Sequence, residues 1–235
     1  MINLIKKTLL KNFIKGLNNA NYRDEFVKKE LKKIDDGKII LDAGCGSQPY
    51  KKYCSHLKYK SQDFGLYKSD LKKSFFSSED DYGYGKLDYI SDIWNIKEKD
   101  NYFDVVLCKE VFEHIPYPIE TVNEFSRLLK KGGKLILTAP SNSLRHFDPY
   151  YYYPGFSDNW FNKILSENNF EILSISPVGD YYSFLKVEIA RTMAHHSFFS
   201  KIILLPALIY FSNKRKTKDS INTLCMGYHV VAKKL

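Results

Sequence analysis

The sequence predicts an α/β chain built on a doubly wound, mostly parallel sheet. Three observations carry that expectation. Short apolar runs alternate with helix-period segments between residues 38 and 180. The first run passes directly into the glycine turn Asp42-Ala43-Gly44-Cys45-Gly46. Acids close three successive runs, Asp42, Asp63 and Asp92. Such acids would share the carboxyl edge of one sheet, where open α/β folds bind ligands.

Taken in order, Ile2, Ile5, Leu9, Phe13 and Leu17 recur at helical spacing and predict an amphipathic helix, with Lys6, Lys7, Lys11 and Lys15 largely off that stripe. A second helix over 23–34 stops at Asp36-Gly37. Residues 1–36 thus read as an N-terminal helical extension, and 37–235 as the main domain. Strands are predicted at 38–42, 58–63, 89–92, 103–108, 134–140 and 170–176, with a closing strand within 223–232. Helices are predicted at 50–56 after Pro49, at 120–129 with Val122, Phe125, Leu128 and Leu129 on one face, and at 157–168. The stretch 68–86 reads as a polar loop. About 40 residues, 182–220, form a helical insertion before the last strand, apolar over 198–211 and interrupted by Pro206.

Composition narrows the class. A chain of 235 residues with 44% hydrophobic and 27% charged residues has enough apolar surface for a single core. Four dispersed cysteines do not form a disulfide framework, and no apolar run is long enough to span a bilayer, which fits a cytoplasmic protein. The net charge of +9 sits at the ends. Residues 1–38 hold ten Lys/Arg against five Asp/Glu, and residues 212–235 six against one. A nearly neutral middle argues against nucleic acid as partner. Basic, apolar ends leave two expectations, burial on the domain or in a homodimer interface, and weak contact with a membrane surface. Burial is the reading adopted, because core packing requires the same periodicity.

The glycine turn lets a nucleotide-like ligand approach the backbone. Asp42 before the glycines opposes a pyrophosphate, and Pro49 occupies the third glycine position of a dinucleotide fingerprint. An acid there suits a ligand carrying an ammonium and a sulfonium. Asp63, 21 residues beyond Asp42, stands where an acid meets ribose hydroxyls. Asp92 would accept from an adenine amino group while Ile93 packs on the ring.

Four ordered blocks resemble class I S-adenosylmethionine-dependent methyltransferases of the broad type-11 group. They are Ile40–Gly46, Ser91–Ile93, Phe103–Pro116 and Leu128–Pro140. The resemblance covers roughly residues 36–180. It implies a Rossmann-like sheet of seven strands with the last antiparallel, and S-adenosylmethionine as methyl donor. By position it implies that Asp42, Gly44, Cys45 and Gly46 hold the methionine part, and that Asp63 and Phe64 hold the ribose. Asp92 and Ile93 then hold the adenine, and Cys108-Lys109 close over the donor. Ser61-Gln62-Asp63-Phe64 departs from the small residues usual at that strand end. The stretch Ala139–Ser157 is similar to methyltransferases of bacterial surface-polysaccharide biosynthesis, which act on small sugar or nucleotide-sugar acceptors.

Glu110-Val111-Phe112-Glu113-His114 can bring two carboxylates and an imidazole together. With His146, these groups would suit Mg²⁺ or Mn²⁺. Leu144-Arg145-His146-Phe147-Asp148 resembles the block of small-RNA 2′-O-methyltransferases, which, like some quinone O-methyltransferases, use Glu-x-x-Glu-His with a metal. Many type-11 enzymes use the same residues without metal, and the metal-free reading is adopted. His146 is then the expected general base, with His114 and Glu113 as rivals. Tyr150–Tyr153 reads either as an acceptor lid or as core packing. The expected activity is O-methylation of a small hydroxyl acceptor, a sugar or nucleotide-linked sugar. Quinone-like or RNA 2′-O-methylation, or a non-catalytic partner subunit, are the competing readings.

Overall fold

The computed structural model describes residues 19–66 and 83–235. The helix expected over 2–17 and most of the loop at 68–86 lie outside those residues. The elements in chain order are α1 (Asn19–Leu31), β1 (Ile39–Ala43), β2 (Lys58–Asp63), β3 (Tyr89–Ile90), β4 (Phe103–Lys109), α2 (Pro118–Leu128), β5 (Leu129–Pro140), α3 (Asp158–Glu167), β6 (Phe170–Val178), α4 (Tyr181–His195), α5 (Phe198–Ser212), α6 (Lys218–Thr223) and β7 (Gly227–Lys234). The strands form one seven-stranded sheet in the order β3-β2-β1-β4-β5-β7-β6. Six strands run parallel and the last in sequence is antiparallel, as expected.

The chain divides into two compact units, Phe26–Ser176 with Tyr228–Leu235, and Met1–Glu25 with Pro177–Gly227. In the first unit, alternate residues of each central strand enter opposite cores. Leu41, Ala43, Val106, Cys108, Leu135 and Leu137 join Phe112, Val122, Phe125, Phe161 and Leu165 on one face. Ile40, Val105, Leu107 and Ile136 join Val27, Leu31, Ile34, Tyr50 and Leu57 on the other. Burial on both faces is why these strands read as unbroken apolar runs. It also places the second half of α1, with Val27 and Leu31, in the main unit, against Ile40 and Leu107.

Several element boundaries differ from expectation: β3 ends at Ile90 and not at residue 92, and β7 runs from Gly227 to Lys234, past the expected end at 232. The helix after Pro49 is only a 3-10 turn, Lys51–Tyr53. Strand β5 starts at Leu129, because the pairing register with β4 slips between Phe103 and Val105 and takes Lys130–Gly133 into the strand. Helix α5 runs through Pro206, whose ring stands on its exposed side. In the second unit, Asp180 caps α4 by accepting from the Ser183 amide (2.9 Å) and accepts from the Ser220 hydroxyl of α6 (2.7 Å).

Candidate functional site

The parallel register brings the ends of β1, β2 and β4 level. Ala43 pairs with Gln62 and with Cys108, and Lys109 pairs with Thr138 of β5. Beyond that level the chain turns sharply. Gly44 and Gly46 have φ of +70° and +51°, a region that disfavours a Cβ. A methyl group on Gly44 would stand 2.5 Å from Val111 Cγ2, so the turn after β1 and the loop after β4 touch through this glycine.

The acids hold that turn. The buried Asp63 carboxylate accepts from the Gly46 amide (2.9 Å) and the Gly65 amide (3.3 Å). Burial pushes its carboxyl up, and these amides, together with Tyr84, pull the other way. Each carboxylate oxygen retains acceptor capacity beyond one amide, so the group can still receive hydroxyls. Asp63 pairs with Ile90, which places Asp92 two residues further along the neighbouring strand end; Asp92 is exposed. Ile93, next to it, is buried in the core cluster with Ile96 and Phe112.

Asp42 is buried and accepts from the Tyr59 hydroxyl at 2.6 Å. Burial raises its carboxyl to about 6, opposed by Tyr59 and the Lys109 charge. A carboxyl raised on folding favours the folded state in its protonated form, so this contribution is lost as pH rises from about 4 through 6. The shift corresponds to about 3 kcal/mol. Urea unfolding should therefore show stability falling over that interval, and Asp42→Asn should flatten this part of the profile.

Gln62 was not singled out by the sequence. Its side-chain oxygen accepts from the Gly44 amide (3.1 Å), and its NH₂ donates to the Ser91 carbonyl (2.7 Å). One amide thus spans the glycine turn and the strand end before Asp92. Lys109 lies 5.6 Å over the Tyr50 ring, and Cys108 is fully buried. Burial pushes the Cys45, Cys54 and Cys108 thiols up, Cys54 to about 12.

The loops after β4 and β5 build a second cluster. The Glu113 carboxylate, His114 and His146 offer ligand atoms that all lie within 4.8 Å of one another. Each imidazole Nδ1 faces a backbone carbonyl, Tyr150 O for His114 (2.7 Å) and Leu144 O for His146 (2.8 Å). A carbonyl only accepts, so Nδ1 of each ring carries a proton, and the neutral form of each ring has its lone pair on Nε2. His114 Nε2 is 3.6 Å from Glu113, beyond hydrogen-bond reach. Burial holds His114 down at about 4, so its imidazole is neutral at physiological pH. Glu110 takes a left-handed φ of +51° and is not a member of the cluster, although its charge reaches His114.

The tyrosine run is anchored. The Tyr152 and Tyr153 amides donate to the Glu113 carbonyl, and the Tyr153 hydroxyl donates to the Pro116 carbonyl. Tyr150 meets Phe64 edge-on, with ring centres 5.0 Å apart. Only Tyr152 is exposed. The run therefore wraps the Glu113 turn and leaves one ring facing outward.

A family described as a methyltransferase domain matches residues 18–201. An uncharacterized protein of Methanocaldococcus jannaschii is 34% identical over 132 residues, 54% of this chain and 53% of its own. A ubiquinone biosynthesis O-methyltransferase of Nitrosococcus oceani is 31% identical over 107 residues, 43% of each chain. The chain thus spans about half the length of the curated relatives it matches. Among solved structures, geranyl diphosphate methyltransferase in complex with its S-adenosylmethionine donor has a TM-score of 0.56 at 11% identity, over 90% of this chain and 84% of that one. With the family match covering well over half of the sequence, and the glycine turn and strand-end acids in place, this chain belongs to the S-adenosylmethionine-dependent class I methyltransferases.

Proposed function

We propose that this protein transfers the donor methyl group to a hydroxyl of a small acceptor. The observation that supports it is the Glu113–His114–His146 cluster, two imidazoles with Nε2 lone pairs beside a buried carboxylate. S-adenosylmethionine supplies an electrophilic methyl on a sulfonium. The residues that fit it are the glycine turn with Asp42, and Asp63 for the ribose hydroxyls. Among the described residues no cation hydrogen-bonds the buried Asp42, and a ligand ammonium there would offset its cost of ionisation. Asp92 and Ile93 stay in this reading as the adenine side, and Cys45, Cys108 and Lys109 as neighbours of the donor.

His146 Nε2 takes the hydroxyl proton as the new O–CH₃ bond forms, and the Leu144 carbonyl fixes its tautomer. His114 orients beside it, and the Glu113 carboxylate stabilises the imidazolium that results. Alignment in a closed site supplies most of the rate enhancement. A sugar or nucleotide-linked sugar of surface-polysaccharide biosynthesis is the acceptor class proposed, on the similarity of Ala139–Ser157.

A second reading is a quinol-type phenol with a divalent metal at the same cluster. It draws support from the quinone O-methyltransferase relatives and from both Nδ1 atoms being engaged by carbonyls, which leaves Nε2 free to ligate. Glu113, His114 and His146 would hold the ion, which would lower the hydroxyl pKa; Glu110 would have to turn inward to join.

Transfer of labelled methyl from the donor to nucleotide sugars and to catechols, with and without chelator, separates the readings. Methylation of nucleotide sugars that survives EDTA is the expected result. Catechol turnover lost with EDTA and restored by Mg²⁺ or Mn²⁺ would replace it with the second reading.

A further inference from the structure

Helix α5 is apolar on its outer face as well as on its inner one. Its inner stripe, Ser200, Leu204, Ala207, Leu208 and Phe211, recurs at three- and four-residue steps and is buried or half-buried. The helix packs along α4 within its unit, and Phe211 stacks on Tyr182 with ring centres 6.3 Å apart. A surface helix normally turns polar residues outward. Here the outer face is apolar: Phe198, Phe199 and Ile203 are 72%, 76% and 75% exposed, and Ile202, Ile209 and Tyr210 are each more than half exposed. The only charged residue in the helix is Lys201. The expectation that this segment buries its apolar surface on the domain is therefore corrected for its outer face.

Directly behind the helix stand Lys214, Arg215, Lys216 and Lys218, all exposed. The Lys214 ammonium lies 4.4 Å over the Tyr210 ring, so the aromatic end of the apolar face and the first cation of the basic segment adjoin. No Asp or Glu occurs between Glu188 and Asp219.

We propose that this face of α5 and the basic segment dock on the surface of an anionic lipid bilayer, with the helix in the plane of the interface. An apolar face and a polybasic cluster are the two signals that together give stable peripheral anchoring. Among the described residues no helix is long and apolar enough to cross a membrane. At 15 residues α5 is about 22 Å long, too short to span a hydrocarbon core of about 30 Å. A second copy of the chain fits less well. In a two-fold dimer the same patch meets itself, and the four cations at 214, 215, 216 and 218 outnumber the two carboxylates near them, Asp180 and Asp219. Phosphate headgroups supply the missing negative charge, while Phe198, Phe199 and Ile203 enter the acyl boundary and Lys201 extends its ammonium back to the headgroups.

The test is sedimentation of the full chain with phosphatidylglycerol-containing vesicles and with pure phosphatidylcholine vesicles, at low and high salt. Binding to the anionic vesicles is expected to be at least tenfold tighter than to neutral ones, and weakened by salt. The pair Phe199→Asp and Ile203→Asp should reduce it at least tenfold. Lys214→Gln, Arg215→Gln, Lys216→Gln and Lys218→Gln should reduce it roughly fivefold per cation removed. Both variants should keep the wild-type unfolding temperature and donor affinity, since the altered side chains are exposed. A chain that stays in the supernatant with both vesicles overturns the proposal, as does equal binding by the variants. An oligomer that ignores vesicles and is dissociated by Ile203→Asp would assign the face to a second copy and likewise overturn it.

Discussion

Gly44→Ala should lower the unfolding temperature by roughly 5–15 °C and weaken donor binding with it. Two costs add. A non-glycine residue at φ +70° costs about 1–2 kcal/mol. The new methyl would also meet both γ carbons of Val111, at 2.5 and 2.9 Å, and its Cβ at 3.3 Å, so no rotamer of Val111 clears it. Overpacking of that kind costs about 1–3 kcal/mol, and each kcal/mol moves the midpoint by about 2–4 °C in a domain of this size. Thermal unfolding and a donor titration measure the two effects. Adding Val111→Ala should recover the steric part and not the backbone part. A midpoint for Gly44→Ala within a degree or two of wild type would mean that the turn and the loop after β4 do not touch as described.

His146→Ala should cut turnover by about 10²–10⁴-fold while leaving the donor dissociation constant unchanged. The asymmetry follows from position. The donor-side residues, Asp42, Gly46, Gln62 and Asp63, lie at the ends of β1 and β2, whereas His146 stands in the loop after β5. Both imidazoles are half-buried; His114 packs between Phe147 and the Tyr150 carbonyl, and His146 between the His114 and Tyr151 rings. Methyl transfer followed with labelled donor, beside calorimetry of donor binding, reads both quantities. Equal loss of turnover and donor affinity would make His146 a structural residue. His114→Ala should lose turnover as well, but with a lowered unfolding temperature, since its imidazole ties the Glu113 turn to the tyrosine run.

The sheet was legible in the sequence because its central strands are buried on both faces. Ile39-Ile40-Leu41 and Val105-Val106-Leu107 leave no polar alternation to confuse with a surface strand or helix. The strand-end acids were legible because open α/β geometry puts them on one edge. Long-range contacts were not. Gln62 reads as a departure from a family pattern, yet its amide bridges residues 18 and 29 positions away. The Tyr59–Asp42 contact likewise depends on the register of β2 against β1, which no local spacing encodes. The packing of Ile93 was not legible for a related reason: next to a site acid an apolar residue suits a ligand ring or the core equally in sequence, and its place beside Ile96 and Phe112 depends on the fold. The closeness of His114 and His146 was suggested by motif, while the exclusion of Glu110 follows from a left-handed backbone that sequence alone does not announce.

The four cysteines have a practical meaning. All are reduced and buried, and three are held as thiols by the apolar strands and the acids around them. A thiol that is neither ionised nor reachable cannot meet an electrophile until the sheet opens. In the native protein, alkylation would thus proceed at the pace of structural opening and not of sulfur chemistry. Cys45 and Cys108, lying at the ends of β1 and β4, would report opening of the donor-side edge, and Cys225 opening of the segment before β7. The chain carries its own set of clocks for the order in which its parts come undone.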